Sequence, residues 1–118
     1  MAEAVASADV RPSIETLISA VERLPAVTVH VPDGGRSARV RVGAGTVARI
    51  DLRDGGLVVH APAHRRPSLQ RTFPSCRTAA DGIVFDLGDP RGHEEGLAAI
   101  RGRANVERLR WQEHVSSP

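Results

Sequence analysis

SARVRVGAGTVARIDLRDGGLVVHA, residues 37–61, reads as three short strands divided by two glycine turns. In TVARIDL, Thr46, Ala48, Ile50 and Leu52 alternate with Val47, Arg49 and Asp51, the period of two that belongs to a strand with one buried and one polar face. SARVRV follows the same rule, with Ala38, Val40 and Val42 pointing one way and Ser37, Arg39 and Arg41 the other. Gly43-Ala44-Gly45 and Asp54-Gly55-Gly56 tolerate positive φ, so each link is short enough for a hairpin. Successive hairpins make an antiparallel meander, and the meander is the expected core.

On the N-terminal side, residues 1–11 are small and polar and are expected to fray. Ile14, Leu17, Ile18, Val21 and Leu24 then form one apolar stripe at helical spacing, with Ser13 placed to cap the start and Pro25 to end it. Val27, Val29 and Val31 alternate with Thr28 and His30 in a further strand, closed by a turn over residues 32–35. On the C-terminal side the chain loses its period. Residues 62–81 contain three prolines, Pro62, Pro67 and Pro74, and predict a long connection or lid with one or two helical turns at 68–73. Gly82 to Leu87, GIVFDL, is the expected fifth strand. Asp89-Pro90 suits a helix start, with Asp as N-cap and Pro at the first helical position. Leu97, Ile100, Ala104 and Trp111 follow on one face, while Gly102 predicts a break, after which Val106 and Leu109 pack from a second segment. The reading is one domain over 12–114, with a disordered tail at 115–118.

A chain of 118 residues can bury roughly two-thirds of the surface its unfolded form exposes, so it needs no staples. The single cysteine, Cys76, excludes an internal disulfide. The first residues lack the basic start and apolar centre of a secretory signal, and no apolar run nears the ~18 residues of a membrane span, so a cytoplasmic protein with no membrane partner is expected. All sixteen basic side chains are arginine, against fourteen carboxylates, and the net charge is only +2. Such a lysine-free composition is what GC-rich coding produces. With Phe73, Phe85 and Trp111 as the only aromatics, stacking platforms for nucleic acid are scarce and nucleic-acid binding is disfavoured.

Taken together, the strands place Val27, Val29, Val31, Ala38, Val40, Val42, Ala48, Ile50, Leu52, Leu57, Val59, Ala61, Ile83, Phe85 and Leu87 on one face. The stripes of the first and last helices need such a surface, which predicts an α+β fold: a mostly antiparallel five-stranded meander with both helices on one side. The other face would carry His30, Arg39, Arg41, Arg49, Asp51, His60 and Asp86. Guanidinium, imidazole and carboxylate groups on rigid strands suit a small anionic or polar ligand or a partner protein, lidded by 62–81. The competing readings are a merely solvated face and a homodimer interface. An enzyme of cyclase or isomerase type would use Asp51 or His60 as general base and Arg49 to steady an oxyanion. Cys76 beside Arg77 would be an activated nucleophile only if the arginines lower its pKa. The G-x-G-x-x-A pattern at Gly43 lacks the helix that would hold a pyrophosphate, and His93-Glu94-Glu95 has Leu97 where a zinc helix needs its second histidine. Neither a cofactor nor a metal is expected.

LPAVTVH after the first helix, VARIDLRDGGLVVHAP in the middle and GIVFDLGDPRGHEEGLAAIRGR at the end resemble the small actinobacterial luciferase-domain proteins, across about four-fifths of the chain. MmcQ/YjbR-like proteins are similar in the same general way. The resemblance implies a compact α+β fold. It carries over no functional residue, because Arg49-Ile50-Asp51 stands where the family often has a histidine pair.

Overall fold

A computed structural model describes residues 2–32 and 35–116, with side chains described for 10–32 and 35–112. Among the described residues the elements run α1 (Ala2–Glu22), β1 (Val27–His30), β2 (Ser37–Val42), β3 (Gly45–Asp51), β4 (Gly56–His60), a 3-10 turn (Ala63–Arg65), α2 (Arg66–Thr72), β5 (Arg77–Thr78), β6 (Gly82–Asp86) and α3 (Pro90–Ser116). The strands form one antiparallel sheet in the order β1-β2-β3-β4-β6-β5. The α+β meander therefore stands, with six strands rather than five. The addition is β5, only two residues long and inside the 62–81 connection, too short for any period to register. Its hairpin with β6 closes through the Ala79 amide on the Gly82 carbonyl.

The core lies between the sheet and the helices. Ile14, Leu17 and Val21 of α1 and Ala99, Ile100 and Ala104 of α3 join Val40, Ile50, Leu57, Ile83 and Phe85 in one buried cluster. Burying a Leu or Phe side chain is worth about 1.5–3 kcal/mol, so this face fixes the layer order. The alternation slips at one place. Val40 faces Ala48 but Arg41 faces Thr46, so Val47 is an extra residue, a β-bulge. Val47 and Ala48 are both buried, while Thr46 stands opposite Arg41, reversing the faces expected for Thr46 and Val47. Val31, expected in the core, is exposed beyond the end of β1.

Both terminal expectations change. The chain is helical from Ala2, where fraying over 1–11 was expected; Ala2, Ala4, Ala6 and Ala8 have the highest helix propensity, and Pro12 withholds only one backbone amide from the interior. Met1 lies outside the described residues. Ser13 is consequently no cap: its Oγ donates to the Leu87 carbonyl at 2.5 Å and pins α1 to the end of β6. The turn expected at 32–35 includes Asp33 and Gly34, which lie outside the described residues. Asp89 caps α3 as expected, its Oδ1 accepting the Arg91 amide at 3.1 Å. α3 then runs unbroken through Gly102 to Ser116, past the expected tail start at 115; Ser117 and Pro118 lie outside the described residues. Val106, Leu109 and Trp111 remain exposed on it instead of packing as a second segment. Among the described residues no helix is long and apolar enough to cross a membrane.

Candidate functional site

Antiparallel register brings one line of residues together across all six strands. His30 faces Arg39, Arg39 faces Arg49, Arg49 faces Val58, Val58 faces Val84, and Val84 faces Arg77. At about 4.8 Å per strand this row spans roughly 24 Å on the face opposite the helices. His30, Arg39, Arg49 and Arg77 are exposed. Among the described residues the carboxylate that pairs with the row is Asp81, whose Oδ2 lies 3.8 Å from Arg49 Nη2. Arg39 directly opposite Arg49 breaks the rule that facing strand positions avoid like charges. A local rule broken without an evident structural gain is typical of functional surfaces.

The other predicted members of this face are placed differently. Asp51 Oδ1 accepts the amides of Arg53 at 2.8 Å and Asp54 at 3.1 Å, and those two bonds hold its carboxyl below the usual carboxylate range. Asp86 Oδ1 accepts the Gly88 amide at 2.9 Å. Both carboxylates thus close turns at the sheet's end and leave the row basic. Arg41 is half-buried beside the bulge, its Nη2 reaching the Ala44 carbonyl at 3.5 Å. Continuing the register from Ile50 opposite Leu57 puts Asp51 and His60 four residues apart along the β3 and β4 pair, about 13 Å. The two candidate bases are not brought together.

His60 belongs to a second place. A cleft of about 290 Å³ opens on the helix side between α2, α3 and the last residues of β4, with Val59, Ile83, Leu69, Phe73, Ala99 and Val106 among its walls. His60, Arg65, Thr72 and Arg103 are the residues with polar side chains in its lining. The His60 ring shares a hydrogen bond with the Thr46 carbonyl at 3.1 Å; since a carbonyl only accepts, Nδ1 carries the proton. His60 Nε2 and Arg103 Nε are buried without partners, although Arg103 Nη2 meets Glu107 Oε1 at 2.9 Å. Residues 62–73 of the 62–81 connection contribute to the walls of this cleft, while Arg77 and Asp81 at its other end belong with the arginine row. Arg66 ties its ends, donating through Nε to Ala61 O at 3.1 Å and through Nη2 to Ala80 O at 2.8 Å, and Phe73 meets Phe85 edge to face at 5.9 Å.

Two features of the cleft escape sequence reasoning. Arg103 follows a glycine in a helix and gives no pattern of its own. Gly102 reads as a breaker, yet a Cβ built on it meets no atom within 4 Å. Helix packing therefore does not require this glycine, which costs about 1 kcal/mol relative to alanine. Gly102 is exposed and is one of the residues that line the cleft.

Cys76 is buried, and burial followed by the negative charge of Glu95 pushes its thiol up, the opposite of activation by arginine. Glu95 is itself held below the usual range by hydrogen bonds from the Ser75 hydroxyl at 2.7 Å and the Ser75 amide at 2.9 Å, with Arg91 adding to the effect. This group anchors the start of β5 to α3.

No protein-family model, curated protein or solved structure matches this chain.

Proposed function

We propose that the chain is a binding module whose uncovered sheet face docks an acidic polypeptide segment along the row His30, Arg39, Arg49 and Arg77. The observation that carries this reading is Arg39 held directly opposite Arg49. Guanidinium groups on adjacent strands, roughly 5 Å apart at their roots, offer paired donors to successive carboxylates. The row runs across all six strands rather than into a single cavity, which favours an extended partner over an enclosed small molecule. A homodimer through this face is opposed by symmetry, because a two-fold axis would set each cationic row against its own copy.

A fluorescein-labelled oligoglutamate titrated into the protein tests the proposal by fluorescence anisotropy. The Arg39→Gln, Arg49→Gln double variant is expected to lose about tenfold or more in affinity, and binding by the unaltered protein should weaken as salt rises. Unchanged affinity in a folded double variant would refute it. So would tighter binding of a single-stranded oligonucleotide of equal charge, which would make the row a general polyanion surface.

A further inference from the structure

We propose that the cleft between α2, α3 and the end of β4 binds a medium-chain aliphatic carboxylate, a site independent of the arginine row. Its volume of about 290 Å³ is that of roughly ten water-sized groups at ~30 Å³ each, which fits a chain of about ten carbons. The walls contributed by Val59, Ile83, Leu69, Phe73 and Ala99 are aliphatic or aromatic, as an alkyl chain requires. The charged lining residues, Arg65 and Arg103, are both basic, His60 adds an imidazole, and no carboxylate is among the lining residues. Glu107, the nearest acid to Arg103, also pairs with Arg110 at 3.4 Å and so sits between two guanidinium groups.

Two further observations point to an occupant. Arg103 Nε is a buried donor with no acceptor, a state that folded proteins seldom leave uncorrected. A ligand carboxylate in the cleft would meet the part-exposed Arg103 side chain and pair with its guanidinium by a charge-assisted bond. Gly102 keeps open space on α3, one of the two helices that border the cleft, and any side chain there would enter that space. The cleft is also built in advance, since the Arg66 clamp and the Phe73 contact with Phe85 hold its α2 wall in place. Binding then needs little reorganisation.

Calorimetric titration of the full chain with decanoate and, separately, with 1-decanol tests the site. Decanoate should bind the unaltered protein. Gly102→Leu, which puts a side chain into the cleft, should weaken decanoate by about tenfold or more while leaving the circular dichroism spectrum unchanged. Arg103→Gln should weaken decanoate by about tenfold and leave 1-decanol within about twofold, because only the head group loses its partner. Should Gly102→Leu fail to fold, Val106→Trp blocks the same cleft from an exposed wall position. Absence of decanoate binding, or equal binding by the blocked variants, would overturn the proposal. Loss of decanoate binding in the Arg39→Gln, Arg49→Gln protein would also overturn it, by placing the carboxylate on the sheet face.

Discussion

Three glycines of α3 provide a graded test of how closely this helix lies on the sheet. A Cβ at Gly92 runs into the backbone carbonyl of Asp86, one at Gly96 comes within 2.6 Å of Leu57 Cδ2, and one at Gly102 meets nothing within 4 Å. Replacing glycine by alanine inside a helix gains up to about 1 kcal/mol by narrowing the unfolded ensemble. Gly102→Ala should keep that whole gain, and for a domain of this size the melting temperature should rise by roughly 3–5 °C. At Gly96 the buried Leu57 side chain has to yield by several tenths of an ångström, and overpacking of this kind costs about 1–3 kcal/mol, so the net effect is a loss near 1 kcal/mol. At Gly92 the obstacle is strand backbone, which cannot rotate aside. The start of α3 has to lift from β6, and a net loss of about 2 kcal/mol or more is expected. Urea unfolding followed by circular dichroism measures all three variants on one scale. If Gly102→Ala lowers stability, or if Gly92→Ala proves as stable as Gly102→Ala, α3 does not lie on the sheet as these contacts require.

Three other substitutions address the joints of the fold. Ser13→Ala removes the hydroxyl that bonds the Leu87 carbonyl and should cost about 1 kcal/mol; a urea midpoint equal to that of the unaltered protein would show that the tie between α1 and β6 adds nothing. The carboxyl of Asp51 titrates below its unfolded value because the Arg53 and Asp54 amides bond its charged form. Its stabilising effect is therefore complete above about pH 4 and is lost as pH falls through the lowered folded value. Urea midpoints measured from neutral pH down into this acid range should fall less steeply for Asp51→Asn than for the unaltered protein, and parallel curves would exclude the turn bonds as the source. Glu95 titrates in the same direction through Ser75, so Glu95→Gln serves as a second, separable contribution.

Local pattern was enough for the meander, the stripe of α1, the Asp89 cap and the antiparallel sense of the sheet, because each depends on residues near in sequence and on a period of two or 3.6. The same pattern misplaced Thr46 and Val47. A bulge is defined by the partner strand, since Val47 is extra only relative to the step from Val40 to Arg41. Likewise the polar face expected from alternation divided in two. Asp51 and Asp86 turned to amides of their own turns, and His60 took its place beside a cleft whose other walls come from α2 and α3.

By itself, then, the sequence determined which segments are the longer strands, the apolar stripe of α1, the start of α3 at Asp89 and that the chain carries arginine in place of lysine. Tertiary structure alone decided that Arg39 faces Arg49, that Arg77 ends the same row from a two-residue strand, and that Gly102 borders empty space rather than a break. The physical reason is reach. Periodicity and capping are set within one or two turns of chain, whereas register, clefts and the meeting of like charges arise between segments that only the packed core brings together.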